Sequence, residues 1–517
     1  MMRAIRSRLL WAVISATVVA GIVAGCAVNP VTGKNELHLV SEKEEISMGR
    51  KNYIPGQQQS GGQYRVEPEL TAYVQAIGQK MSSVSDRNQL PYEFVVLNES
   101  VPNAWAMPGG KIAVNRGLLI ELKSEAELAA VIGHEIVHAA GRHAARGMES
   151  GLLLQTGAAV LSAATADNRY ASVIDLAAGL GAGLLGVKYG RDLELEADHY
   201  GMIYMQRAGY DPRAAIGLQE TFLRLSKDKS PNWLQGLFAS HPPSQERVEA
   251  NRKMAASMPA GLKVGEKEYQ AKIATLMKTR EAYKNYDEGQ KVLKNKEAAK
   301  ALQLADAALK IEPREALFYG LRGDARTQMG QPKEAEADYS EAIRLNPDFY
   351  DFYLGRGKLR QKRGDVELAI VDFNRANSLL PTAQGHYAMG QMRQTRGERD
   401  QAVEHFRLAA QARDDTGKSA GIALARLDLP ANPGRYLATS IERGERDQLL
   451  LLVKNNSGVR VSRIAVGVTH SARGRETARI DSLRPGEVGR VGLPWPASGV
   501  KDGVRVGSQV LGATVAE

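Results

Sequence analysis

Two histidines four residues apart, His134 and His138, lie with Glu135 in the run from Ser124 to His143, where the order is H-E-x-x-H. The run reads as a helix. Ser124 followed three residues later by Glu127 is a capping box, and the Ala, Leu and Ile behind it favour helix without an intervening proline. At a spacing of four both imidazoles leave one face of the helix and can close on a single small cation. Glu135 sits one position round, where its carboxylate can reach a water activated at that cation without being a ligand itself. Five positions with three fixed are also met by chance, and a helix with two histidines is often only a helix. A catalytic zinc takes a third protein ligand, so the discriminating feature is a donor downstream. A second helical stretch, Arg191 to Asp198, offers several carboxylates there.

Together the two stretches resemble the M48 family of zinc metalloproteases, in which H-E-x-x-H is followed by E-x-x-x-D, here Glu194-Leu-Glu-Ala-Asp198. The resemblance implies one Zn²⁺ per chain held by His134, His138 and Glu194, with Glu135 as general base. It implies that Asp198, one turn beyond Glu194, holds a ligand histidine from behind. Glu196 is the rival carboxylate and points to another side of its helix. A third stretch, His241-Pro-Pro-Ser-Gln-Glu-Arg247, resembles a further M48 feature placed near the metal, and its Pro and Ser mark a turn ahead of a helix. His241 could take the fourth metal position and hold the enzyme latent, or swing aside to serve the oxyanion with Arg247 as supporting cation. It could also be an ordinary surface-turn histidine.

The elements that must position these residues begin after a leader. Met1 to Arg8 is basic, Leu9 to Val23 is largely apolar, and Val23-Ala-Gly-Cys26 resembles the lipobox of bacterial lipoproteins. That resemblance implies cleavage before Cys26, lipidation of Cys26 and anchoring to a membrane; Ala27 in place of Asp points to the outer one. Cys26 is the only cysteine, which excludes an intramolecular disulfide and a cysteine-rich metal site. A turn-rich tether, Asn29 to Lys34, follows. Ser41 with Glu44 caps a helix, Gly56 to Gln63 reads as a loop, and Leu70 to Met81 returns to helical spacing. Tyr92–Leu97 and the hairpin Ala104–Met107, Pro108-Gly-Gly110, Lys111–Val114 read as strands beside the histidine helix. In zincins such a strand offers an edge to extended substrate.

Between the two motifs, Leu152–Ala164 and Ala171–Val187 are apolar but interrupted by Asp167 to Tyr170, and each is too short or too polar for a membrane span; they read as helices packed in or over the catalytic domain. Tyr200 to Leu225 reads as helix, turn, helix, and a loop from Asp228 to Trp233 leads to His241.

From about Ala298 the period changes. Pro313, Pro347 and Pro381 recur every 34 residues, as do Gly330 and Gly364, Ala335 and Ala369, Tyr339 and Phe373, and Ala342 and Ala376. The pattern resembles tetratricopeptide repeats, whose stacked helix pairs form a groove for peptide or protein. Beyond Pro433, Asp447–Val453, Val459–Val468 and Val488–Leu493 are strand-like, separated by turn clusters.

At 517 residues the chain has room for about three domains. The net charge of +10 includes arginines in the segment expected to be removed, the rest is mixed with acids, and no nucleic-acid motif is present. The expected architecture is mainly α: a signal segment 1–25, a gluzincin-type α+β protease domain 26–275 with a small β-sheet, a repeat solenoid 276–414, and a small β-sandwich-like module 430–517. The expected function is a lipid-anchored zinc metalloendopeptidase on the periplasmic face of the outer membrane, acting on unfolded or misassembled envelope proteins and meeting assembly machinery through the repeat groove. The combination resembles the β-barrel assembly-enhancing group of M48 proteases, apart from the terminal β module. The alternative is a non-enzymatic or mostly latent periplasmic chaperone or scaffold with a structural metal.

Overall fold

The computed structural model describes residues 26–151, 189–228, 241–499 and 505–516. The expected signal segment 1–25, the apolar runs within 152–188, the loop at 229–240 and the side chain of Cys26 lie outside the described residues. The chain forms two compact units, Met1–Phe349 and Tyr350–Glu517. Among the described residues no helix is long and apolar enough to cross a membrane.

The first unit opens on two short antiparallel strands, β1 (Cys26–Val28) and β2 (Asn35–Leu37). The connection between them is a built corner. Asn29 is fully buried, its Oδ1 accepts from the Val31 and Thr32 amides, and its Nδ2 donates to the Gly141 carbonyl at 3.1 Å. Helix α1 (Glu42–Gln59) starts at the expected capping box of Ser41 and Glu44. It differs from the sequence expectation at its far end, running past Pro55 to Gln59 where the composition predicts a loop from Gly56 to Gln63. Gln57 and Gln58 are buried there, and Gln58 Nε2 donates to the Asp348 carbonyl at 2.7 Å, so distant polar partners secure the last turn.

Helix α2 (Pro68–Ser82) buries Leu70, Val74, Ile77 and Met81 on the face expected from their spacing. The three-stranded sheet has the order β3 (Glu93–Leu97), β5 (Lys111–Asn115), β4 (Ala104–Met107), with β3 parallel and β4 antiparallel to β5. Helix α3 (Glu125–Ala140) is buried on every side, its Ala, Leu, Val and Ile on the core and its Glu and His residues among polar partners. Ser124 caps it by accepting from the Glu127 amide, but the box is not reciprocal, because Glu127 Oε2 accepts from the Lys123 amide instead.

Helices α4 (Arg191–Arg207), α5 (Ala214–Asp228) and α6 (Gln245–Ala255) complete the layer around α3. Two glycines set the crossing of α3 and α4: a Cβ on Gly133 would lie 3.1 Å from the Gly201 carbonyl, and one on Gly201 would lie 3.1 Å from the His134 amide. This close approach brings the acidic face of α4 up to the histidine face of α3.

The first repeat helices belong to the same unit. Ala274–Lys294 pairs with Ala298–Ile311, and Ala316–Gln328 with Pro332–Leu345. They join the protease through a buried polar node. Glu315 accepts from Asn98 Nδ2 at 3.0 and 2.9 Å and from the Tyr283 hydroxyl at 2.6 Å, while Arg116 donates to Asn98 Oδ1 at 2.7 Å and lies 3.4 Å from the Tyr283 ring centre.

The second unit continues with Tyr350–Arg363 against Val366–Leu379, and Ala383–Thr395 against Arg399–Ala409. The 34-residue period has a packing cause. Gly323, Gly357 and Gly390 each face a ring on the following helix, with Cβ positions 3.1 Å from Tyr339, 2.7 Å from Phe373 and 2.6 Å from Phe406. Behind these helices two three-stranded antiparallel sheets, β6 (Leu437–Arg443), β7 (Gln448–Asn455) and β10 (Val488–Pro496), and β8 (Val461–His470), β9 (Gly474–Leu483) and β11 (Val506–Val515), share a core around Leu451, Val453, Val461, Val466, Val468 and Leu493.

Candidate metal centre

His134 and His138 project from one face of α3, Glu194 and Asp198 from α4, and His241 from the turn before α6. His134, His138, Glu194 and His241 are all buried, and their donor atoms lie within 4.8 Å of one another. His134 Nε2 is 3.0 Å from His138 Nε2, 3.4 Å from Glu194 Oε2 and 3.3 Å from His241 Nδ1. Glu194 Oε1 is 3.4 Å from His138 Nε2 and 3.0 Å from His241 Nδ1. Ligands about 2.0–2.1 Å from a tetrahedral cation are separated by about 3.3–3.4 Å, so these spacings suit one small ion.

The donor set makes the same demand. Asp198 Oδ1 lies 2.9 Å from His134 Nδ1, and a carboxylate only accepts, so Nδ1 carries a proton and Nε2 is the nitrogen that faces the cluster. Burial works against a charge on His134, yet the Glu194 and Asp198 carboxylates outweigh it and raise its pKa to about 10, which marks a negative pocket that a cation would neutralise. Burial holds His138 well below the ordinary histidine range, as suits a neutral ligand. Glu194 is also penalised by burial, but the charges of His241 and His134 keep it far below the carboxylate range.

Glu135 is buried beside the cluster. Its Oε1 is 3.7 Å from His241 Nε2 and its Oε2 has no hydrogen-bond partner among the described residues. Burial raises its pKa, with His241 and His134 acting the other way. A carboxylate lifted in this way takes up a proton more readily than a free one, as a group that accepts and returns a proton must.

Arg247 comes from the first turn of α6, where Ser244 provides the cap. Its guanidinium grips Asp198 through Nε at 2.6 Å and Nη2 at 2.7 Å, and reaches Glu194 Oε2 through Nη1 at 2.8 Å. Its partners are thus the two carboxylates rather than His241. Burial opposes the charge on Asp198, and Arg247 overcomes it to hold the carboxyl below its usual range. Two residues without a role in the sequence reading also meet the site. Tyr189 stacks on the His138 ring at 4.0 Å between centroids, and His143 contacts the far nitrogen of His138. Glu196, expected on another side of its helix, is there and meets His143. In the sequence His143 is visible only as the last residue of the histidine run, and Tyr189 carries no signal.

Comparison with known proteins agrees with this geometry. Residues 68–255 match the sequence profile of peptidase family M48, and residues 323–364 match a TPR repeat. The mitochondrial metalloendopeptidase OMA1 of Arabidopsis thaliana is 36% identical over 167 residues, covering 32% of this chain and 32% of that protein. The β-barrel assembly-enhancing protease of Escherichia coli K12 is 29% identical over 255 residues, covering 48% and 51%. The metalloprotease YcaL of the same organism is 31% identical over 170 residues, covering 33% and 65%. The chain spans from a third to about two thirds of the length of these relatives.

Proposed function

We infer, from a chain whose residues 68–255 form an M48 peptidase domain with a tetratricopeptide repeat behind it, that it is a zinc metalloendopeptidase. The observation that carries this reading is the convergence of imidazole lone pairs and the Glu194 carboxylate beside a second buried carboxylate, Glu135. Zinc held by His134, His138 and Glu194 would supply Lewis acidity to a scissile carbonyl and to the attacking water. The side chains do the rest. Asp198 keeps the His134 proton on Nδ1, Arg247 keeps Asp198 ionised and steadies Glu194, and Glu135 takes the proton of the attacking water and returns it to the departing amine.

His241 sets the resting state. Four protein donors make a closed arrangement of the kind used in structural sites, whereas catalysis needs one position for water. The same observation favours a second reading, a scaffold with a structural metal, and Glu135 separates the two, since a structural site has no use for a proton acceptor. We place the enzyme on the periplasmic face of the outer membrane, lipid-anchored through Cys26, on the strength of the lipobox. Its clients on this reading are misassembled envelope proteins. Similarity to a β-barrel assembly-enhancing protease and the repeat groove support that assignment.

Metal analysis and casein cleavage test the reading together. The protein should carry one zinc per chain, His134→Ala or Glu194→Ala should lose metal and activity, and Glu135→Gln should keep the metal and lose activity. Full proteolysis by Glu135→Gln would refute the mechanism.

A further inference from the structure

Behind His138, on the side away from the ligand cluster, lies a histidine that the M48 motif does not use. His143 is fully buried, with Nδ1 2.7 Å from His138 Nδ1 and Nε2 2.9 Å from Glu196 Oε1. Glu196 is held in turn by Arg146 Nη1 at 3.0 Å, and Arg146 pairs with Glu36 at 3.2 Å.

A contact between two ring nitrogens needs one proton, and its direction fixes both tautomers. In one direction His138 donates from Nδ1, so His143 Nδ1 accepts and its own proton sits on Nε2, aimed at the Glu196 carboxylate. Every atom in that chain is satisfied, and His138 turns a lone pair on Nε2 toward the cluster. In the other direction His143 donates from Nδ1, which leaves its Nε2 lone pair facing the Glu196 carboxylate, two acceptors in contact. That direction also places the His138 proton on Nε2, 3.0 Å from His134 Nε2, where a ligand lone pair is required. Only the first assignment is consistent at both ends.

We propose that His143 and Glu196 are positioning residues, a relay that holds His138 in its metal-ligating tautomer and orientation. The fold is built to deliver His143 to this point. Helix α3 ends at Ala140, Gly141 follows, and Arg142 takes a left-handed conformation with φ of 60° that turns the chain back beneath His138. That conformation is costly outside glycine, and buried contacts of Arg142 with Glu45 and Glu149 hold it. Gly141 leaves the necessary room, since a Cβ there would lie 2.8 Å from His143 Nε2. The Tyr189 ring stacks on His138, so the imidazole is fixed from behind and from its face.

The inference rests on the metal-site reading above, and the test separates the two. Zinc affinity of the full-length protein is measured by competition with a chelator, and the thermal transition of the metal-free protein is followed by circular dichroism. His143→Leu should weaken zinc by about 10–100-fold, the range for loss of a partner behind a ligand histidine. His143→Asn, whose Oδ1 can still accept the His138 proton, should lose clearly less. Glu196→Leu leaves both rings in place and removes the terminal acceptor, while Arg146 keeps Glu36 as its partner, so it should also weaken zinc even if His143→Leu proves unstable. The metal-free transitions of His143→Asn and Glu196→Leu should stay close to wild type. Unchanged zinc affinity in Glu196→Leu, or equal losses in His143→Leu and His143→Asn, would overturn the relay and reduce His143 to packing. A wild-type protein that binds no zinc would overturn the metal-site reading itself and the relay with it.

Discussion

Asp198→Asn measures how far the grip on a metal depends on a residue that never touches it. Asp198 receives four hydrogen bonds: His134 Nδ1 at 2.9 Å, Arg247 Nη2 at 2.7 Å and Gln219 Nε2 at 3.4 Å on Oδ1, and Arg247 Nε at 2.6 Å on Oδ2. Asn keeps the volume and one acceptor oxygen but loses the charge and the second acceptor; with its oxygen in the Oδ1 place it meets His134 Nδ1 and Arg247 Nη2 only as a neutral acceptor, and it sets an NH2 donor against Arg247 Nε. A hydrogen bond to a charged group is worth about 1.5–3 kcal/mol. Loss of a partner behind a metal ligand costs about 10–100-fold in affinity, which at about 1.4 kcal/mol per decade is about 1.4–2.8 kcal/mol. The two routes agree, because the substitution forfeits one charge-assisted bond. Arg247 adds to the effect. Deprived of Asp198, it keeps the Pro242 carbonyl at 3.3 Å and the Glu194 Oε2 contact at 2.8 Å, and at Glu194 it competes with the metal. Chelator competition should therefore show zinc binding weakened by about one to two decades, and casein cleavage falling in parallel at limiting zinc. Asp198→Ala should cost more, since a buried cation left without its partner destabilises by about 3–5 kcal/mol. If Asp198→Asn bound zinc within about threefold of wild type, the role given to the carboxylate would be wrong.

His241→Ala should change activity strongly while zinc is retained: a rise on peptide and protein substrates would mean that latching dominates, a fall that the ring serves the oxyanion, and unchanged kinetics would remove His241 from the site. Cys26→Ser should abolish incorporation of labelled fatty acid, and continued labelling would refute the anchor. Removing residues 350–517 should spare hydrolysis of a short peptide and impair cleavage of a large client, with equal loss on both refuting a recruiting role for the later repeats. Glu315→Ala should destabilise the first unit in urea by at least about 1–3 kcal/mol, the cost of leaving a buried polar group without its partner; an unchanged midpoint would remove the node from the account.

The metal site was legible because helical periodicity turns spacing into geometry. His134 and His138 share a face at a separation of four, and the resemblance to M48 singled out Glu194 and Asp198, also four apart, from the other carboxylates of their stretch. What periodicity cannot express is what lies beyond a helix end or across a crossing. His143 follows the left-handed turn at Arg142, so its distance in sequence from His138 carries no direction. Arg247 was visible only as a cation near His241, and its fork on Asp198 depends on how α6 meets α4. The close approach of Gly133 and Gly201 is likewise a property of two helices together. In the terminal module β7, β8 and β10 were readable from apolar runs, whereas β6, β9 and β11 were not. Strand β9, Gly474–Leu483, buries only Ala478 and Leu483, so its composition resembles a loop while its backbone pairs with β8 from end to end.

The repeats show the same division between what a period encodes and what a contact encodes. Their 34-residue rhythm was legible because it is a packing rule, a glycine under a ring in successive helix pairs, at Gly323 with Tyr339 and at Gly357 with Phe373. The rhythm starts near Ala298, yet the compact unit that holds the metal site runs on to Phe349. The reason is polar and local. Asn98, Arg116, Tyr283 and Glu315 each read alone as an ordinary surface or helix residue, and only their mutual hydrogen bonds make them a buried joint between protease and repeats. Arg116 follows directly on β5, the central strand of the sheet that packs on α3. A cut placed where the periodicity begins would remove Glu315 and leave the amide of Asn98 without the carboxylate it donates to. A cut after Phe349 keeps the joint whole, and with it the contacts of Asp348 to Gln58 and Arg65, so the physical boundary of the catalytic unit follows these polar contacts rather than the repeat.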